Sequence, residues 1–208
     1  MIIKVCGMRD PENIRALSKL DIQWMGMIFY PPSPRYLLKE KPDNFPFSIL
    51  HSPLKKVGVF VNATQEEMME AASRFRLDYL QLHGNESPDS CYALQKRGYS
   101  IIKVFSVASA ADIEKTKEYE GRADYFLFDT KCSEYGGSGK QFDWSVLNTY
   151  QGNTPFLLSG GIHPGSAEAI RNFQHPKLAG IDLNSGFEIA PAMKDISLLS
   201  SFIQEIKK

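Results

Sequence analysis

Eight short apolar, β-rich runs recur along this chain, centred near Lys4, Met27, Gly58, Leu80, Lys103, Leu127, Leu157 and Asp182. Polar, helix-like stretches lie between them, and the centres are about 22 to 31 residues apart, the length of one βα unit. Eight such units favour a single α/β domain over residues 1–208, closed into a (β/α)₈ TIM barrel; an open doubly wound sheet is the alternative. The helix signals agree with the period. Asp10 and Pro11 supply an N-cap and a first helical position. Thr64 and Glu67 are spaced as a capping box. Ile196, Leu199, Phe202, Ile203 and Ile206 recur at helical spacing in the tail that starts at Lys194. The second unit is irregular: Tyr30-Pro-Pro-Ser-Pro-Arg-Tyr must be an ordered loop or an extended tether.

In a parallel barrel the chemistry sits where strands end. Residues two apart on a strand share a face. If Cys6 points into the mouth, Lys4 lies one layer below it; if Asp129 points in, so do Leu127 and Tyr125. Gln81 shares a face with His83, and Asp182 with Asn184. Cys6, His83, Asp129 and Asp182 thus gather at strand ends. A free cysteine is commonly just a small buried hydrophobe, and an Asp before Thr often caps a turn. Together, however, a thiol and a carboxyl can supply the base and the acid of a proton transfer. A thiol needs help to ionise at neutral pH, for which Lys4 and the helix start near Pro11 are candidates. A carboxyl that donates a proton must hold it until substrate binds, which apolar surroundings favour; Phe126, Leu127 and Phe128 precede this one.

Composition narrows the classes. Lys+Arg and Asp+Glu are both 24, so the formal net charge is zero, which argues against nucleic acid or a polybasic membrane patch as partner. No apolar run approaches the roughly 18 residues of a membrane helix, and Met1-Ile-Ile-Lys does not open a signal peptide. Cys6, Cys91 and Cys132 are widely spaced, as suits reduced thiols in a cytoplasmic protein, and no C-x-x-C or H-E-x-x-H suggests a metal. Gly136-Gly-Ser-Gly-Lys has the look of a phosphate loop, but Glu134 and Gln141 stand where a Walker motif needs Gly and Ser/Thr; a loop over the mouth, able to act as a lid, is the better reading. Phosphate is better assigned to the turns after the seventh and eighth strands, Gly160 and Gly161 in the first, Ser185 and Gly186 in the second.

Lys4-Val-Cys-Gly-Met, Gln81-Leu-His-Gly-Asn-Glu, Phe128-Asp-Thr, Gly136-Gly-Ser-Gly-Lys-Gln-Phe-Asp-Trp, Leu158-Ser-Gly-Gly-Ile and Gly180-Ile-Asp-Leu-Asn-Ser-Gly-Phe-Glu occur in this order. In this the chain resembles the phosphoribosylanthranilate isomerases over essentially its whole length. The resemblance implies a barrel enzyme of tryptophan biosynthesis that rearranges a phosphosugar–anthranilate substrate by acid–base catalysis, with no cofactor or metal, expected here as a monomer. It implies Cys6 as base and Asp129 as acid, and Arg35 on the anthranilate carboxylate, for which a guanidinium fork is suited. His83 and Asp182 join Gly160, Gly161, Ser185 and Gly186 as substrate-binding residues, without a proton-transfer role for His83. Two places depart from the usual pattern: Met8-Arg9 where small or β-branched residues are common, and His163-Pro where Asn-Pro is usual. Another phosphosugar barrel is the rival, but a histidine-pathway isomerase would favour two strand-end acids, and a thiamine phosphate synthase would need clustered carboxylates for Mg²⁺. A non-catalytic phosphometabolite-binding barrel would not need both Cys6 and Asp129.

Overall fold

The structure is a computed structural model and describes residues 1–39, 52–130 and 144–208. Its strands are β1 (Ile2–Val5), β2 (Trp24–Ile28), β3 (Lys55–Phe60), β4 (Tyr79–Leu82), β5 (Ser100–Val107), β6 (Tyr125–Thr130), β7 (Phe156–Ser159) and β8 (Leu178–Leu183). Each contains one of the eight anticipated centres. They pair in sequence order, all parallel, and β8 closes back onto β1 with Lys4 opposite Asp182. The open-sheet alternative is thereby set aside.

The helices start where local chemistry dictates. In α1 (Pro11–Leu17) the Asp10 carboxylate accepts from the Asn13 backbone N–H at 2.7 Å. In α2 (Gln65–Phe75) Thr64 and Glu67 satisfy each other's backbone N–H groups, at 2.8 and 3.2 Å. Crossovers further along carry α3 (Pro88–Lys96), α4 (Ala110–Glu114) and α5 (Ala167–Asn172). After β8 comes an unanticipated element, an antiparallel hairpin of β9 (Glu188–Ala190) and β10 (Met193–Lys194). Lys194 therefore stands before the last helix, α6 (Ile196–Ile206), which starts on an Asp195 cap and buries Leu199, Phe202, Ile203 and Ile206. Two strands this short leave no periodic signal in the sequence.

The barrel interior is layered. At the bottom Trp24 stacks on Tyr79, ring centroids 4.5 Å apart, with Tyr125 edge-on at 5.2 Å. Val57, Ile102, Val104, Leu127 and Leu157 fill the space above this plug. Phe126 and Phe128, on the opposite parity, pack outward with Phe105, Tyr150 and Phe156. The Pro-rich segment is an ordered loop. Leu37 N–H donates to the Ile28 carbonyl at 2.8 Å, and the Arg9 guanidinium reaches the carbonyls of Pro34 and Tyr36. Arg9, one of the two departures from the family pattern, thus pins the loop that carries Arg35. No helix among the described residues is long and apolar enough to cross a membrane.

Candidate active site

A cavity of about 240 Å³ opens at the C-terminal end of the barrel, lined by Cys6, His83, Asp129, Gly160, Gly161, Asp182 and Ser185, together with Gln81, Ser159 and Asn184. Seven of the nine residues singled out in the sequence therefore share one mouth. Gly186 is not on its wall but against it: a Cβ there would lie 2.3 Å from the Ile162 carbonyl, so only glycine lets the turn after β8 close on the turn after β7. Gly160 and Gly161 both hold left-handed backbone, φ +86° and +63°. His163 performs locally what an Asn at this position would: its Nδ1 accepts the Gly165 N–H at 3.1 Å, capping the short turn Pro164–Ser166.

Cys6 is one residue beyond β1 and is 4% exposed. Its side chain has room because Gly26, on the neighbouring strand, has none; a Cβ there would meet the Cys6 sulfur at 2.7 Å and the Lys4 ammonium at 3.2 Å. Below it Lys4 Nζ donates to Asp182 Oδ1 at 2.9 Å, both side chains withdrawn from solvent. Burial acting alone would lower the Lys4 pKa; Asp182 overrides it and holds the ammonium charged. Lys4 does not bring the thiol below its ordinary range as anticipated. Burial pushes the Cys6 thiol up, Lys4 pulls it down, Asp182 pushes it up again, and the balance lies above the ordinary value.

Asp129 faces the mouth beside His83, whose Nε2 is 3.5 Å from Oδ2, too long for a good hydrogen bond. The apolar surroundings anticipated from its neighbours are only partly present. Phe126 and Phe128 face the other way, so on its own face only Leu127 and, at the barrel bottom, Tyr125 lie beneath the carboxyl. The wall beside it is polar, formed by His83 and Ser159.

Arg35 lies away from this cavity. Its Nε and Nη2 make a two-pronged pair with the Glu188 carboxylate at 2.6 to 3.0 Å, and its Cδ packs over Gly7. Glu188 also accepts from the buried Lys194 at 2.5 Å. Burial opposes its ionisation, but hydrogen bonds from Arg35 and Lys194 outweigh this and hold its pKa below the usual range. Neither Glu188 nor Lys194 is assigned a role from the sequence, although Glu188 closes the quoted Ser-Gly-Phe-Glu motif. The Gly136–Gly139 loop and Cys132 lie outside the described residues.

The thiols should separate chemically. Cys91 is fully buried in α3, and burial raises its pKa to about 11, so it should alkylate little in the folded protein. A phosphate-bearing product analogue should slow alkylation of Cys6 selectively, as read by peptide mapping with and without ligand. Equal protection of Cys6 and Cys91, or none at Cys6, would contradict a ligand seated in this mouth.

The fold and the mouth define a class: a (β/α)₈ barrel with groups able to exchange protons at its C-terminal end and glycine-rich turns after its last two strands. The comparisons narrow it. The family model described as N-(5'-phosphoribosyl)anthranilate (PRA) isomerase matches residues 3–205. A protein of that name from Parabacteroides distasonis is 64% identical over 206 residues, covering 99% of this chain and 93% of the relative. Another, from Phocaeicola vulgatus, is 50% identical over 208 residues, covering 100% and 98%. A crystal structure of phosphoribosyl anthranilate isomerase in complex with reduced 1-(o-carboxyphenylamino)-1-deoxyribulose 5-phosphate superposes with a TM-score of 0.81 at 28% identity, covering 100% of this chain and 99% of that one. The chain belongs to the N-(5'-phosphoribosyl)anthranilate isomerase family.

Proposed function

We propose that this chain catalyses the Amadori rearrangement of N-(5-phosphoribosyl)anthranilate to 1-(2-carboxyphenylamino)-1-deoxyribulose 5-phosphate, a step of tryptophan biosynthesis. Asp129 gives its proton to the ribose ring oxygen. The C1–O bond breaks, and the anthranilate nitrogen lone pair forms a C1=N iminium. The Cys6 thiolate takes the C2 proton, made acidic by the iminium, and the electrons released form the C1=C2 bond of an enolamine. That enol tautomerises to the ketose. One proton is given and one taken, so the scheme needs no cofactor. The phosphate rests on the turns of Gly160–Gly161 and Ser185–Gly186, with His83 and Asp182 lining the sugar. The observation that carries this reading is the common mouth of Cys6 and Asp129, at the ends of strands three positions apart around the closed barrel. A fluorescence assay with purified protein tests it: phosphoribosylanthranilate should be consumed without added metal or cofactor, and no consumption would reject the reading.

Arg35 is assigned to the anthranilate carboxylate. Since Glu188 takes Nε and Nη2, the substrate has the Nη1 edge. A charge-assisted bond of this kind contributes about 1.5–3 kcal/mol. Arg35→Ala should therefore raise KM by about tenfold or more, with little change in kcat if the bond is made equally in ground and transition states. Arg35→Lys should recover part of the affinity. An analogue lacking the carboxylate should bind wild type and Arg35→Ala about equally. If the variant loses affinity for that analogue as strongly as for the natural ligand, Arg35 acts by ordering its loop and Glu188 instead.

The same reading includes a monomer in the cytoplasm. The large apolar side chains exposed among the described residues are Met1 before β1, Tyr92 on α3 and Ile189 on β9, which are far apart in the sequence. Cys6 and Cys91 are unpaired thiols. Solution mass by light scattering tests the oligomeric state.

A further inference from the structure

Lys194 is among the largest fully buried side chains of the protein, on a two-residue strand. Its backbone is clamped from both sides by Asn13, with Lys194 N–H to Asn13 Oδ1 at 2.8 Å and Asn13 Nδ2 to the Lys194 carbonyl at 2.9 Å. Its Nζ donates to Asn184 Oδ1 at 2.8 Å and to Glu188 Oε1 at 2.5 Å. The ammonium ends beside Gly7, the residue after Cys6. A Cβ on Gly7 would lie 3.4 Å from Lys194 Nζ, 3.0 Å from Asn184 Oδ1 and 2.8 Å from Arg35 Cδ. Gly7 holds φ +78°, so the chain next to the thiol turns without presenting a side chain to this cluster.

Holding a hairpin in place does not require a buried ammonium. An apolar side chain of similar volume commonly serves a buried position as well or better, because the charge must be stripped of water. The charges around Cys6 suggest what the ammonium is for. Beneath the thiol, Lys4 and Asp182 form a balanced pair on β1 and β8. Across the mouth stand His83 after β4 and Asp129 on β6. On the Gly7 side, Arg35 from the loop after β2, Glu188 on β9 and Lys194 on β10 form a triad with one uncompensated positive charge.

We propose that Lys194 is a positioning residue for the isomerisation: it fixes the cluster of Asn184 and Glu188 against Gly7, the residue after Cys6, and its charge favours the thiolate form of Cys6. The inference rests on Cys6 being the base of the reaction. The electrostatics of the site point the same way. Burial is the main force raising the thiol pKa, and Lys194 is one of the two lysines that oppose it. Burial also pulls the Lys194 pKa below its ordinary value, with Glu188 limiting the fall. The carboxylate and the amide oxygen that both accept from the nitrogen favour its charged form.

The test reads the thiol directly, without turnover, as the rate of iodoacetamide alkylation of Cys6 against pH in the full chain, followed by peptide mapping. Lys194→Met should raise the midpoint by about half a unit or more, which is about a threefold loss of rate well below the midpoint. Lys194→Arg should return it toward wild type. Lys194→Gln, which keeps a donor for Asn184 and Glu188 but carries no charge, should raise it as Lys194→Met does. The charge is the discriminating variable: a merely structural loss would be repaired by the hydrogen-bonding Gln, whereas a loss of charge is repaired by Arg alone. An unchanged midpoint in Lys194→Met, or a wild-type midpoint in Lys194→Gln, overturns the proposal. If Lys194→Met does not fold, Lys194→Gln decides: an unchanged midpoint overturns it. The ascending limb of kcat/KM against pH should follow the alkylation midpoint in each variant. If alkylation shifts while that limb stays fixed, it is the assignment of Cys6 as base that fails, and with it any role of Lys194 in turnover.

Discussion

Cys6→Ala and Asp129→Asn should each lower kcat by about two or more orders of magnitude, the usual scale of general acid–base catalysis. Neither change touches the glycine turns or Arg35, so a product analogue should still bind both variants. The pH dependence has a definite sign. A base must be deprotonated to act, and burial sets the Cys6 thiol above its ordinary value. Wild-type kcat/KM should therefore rise with pH through neutrality, and the residual activity of Cys6→Ala should lack that limb. Steady-state kinetics of purified variants, with analogue binding by calorimetry, would decide the matter. Near-normal turnover in either variant would remove that residue from the mechanism.

The second large effect is on stability. Lys4→Met should destabilise the fold by about 3–5 kcal/mol, because it leaves Asp182 as a charge buried without its partner. The double variant Lys4→Met, Asp182→Leu should recover much of this, since a matched apolar pair carries no desolvation cost. Urea unfolding of the wild type, the two single variants and the double variant measures the coupling. A Lys4→Met cost under about 1 kcal/mol would mean that water reaches the pair and that the barrel centre is wetter than its exposure indicates.

Much of this architecture was readable in the residues because period and parity are local properties of a chain. Eight apolar runs sit where eight strands form, and counting by two from Cys6 and Asp129 puts Lys4, Tyr125 and Leu127 inside. The same rule, applied more strictly, would have turned Phe126 and Phe128 away from Asp129. Pairings between distant segments were not readable. Arg35 and Glu188 are 153 residues apart, and a guanidinium suited to a substrate carboxylate is equally suited to one from the protein. Lys194 resembled the solvated start of a helix until the hairpin turned it inward. The thiol's acidity escaped for another reason: it is a balance of burial against charges on several elements, which no spacing in one segment encodes.

The Lys4–Asp182 pair joins two residues 178 positions apart. It spans the seam where the first strand meets the last, so it cannot form until nearly the whole chain is available. Closing so long a loop is entropically costly, and contacts of such separation slow folding. During synthesis β1 emerges early with its lysine and waits for β8 to supply both the missing edge and the counter-charge. A chain cut before β8 should therefore lack a finished barrel on two counts, an unpaired strand edge and an unmatched internal cation. A circular permutant opened between β5 and β6 should bring the seam together across a short stretch and close it earlier in folding.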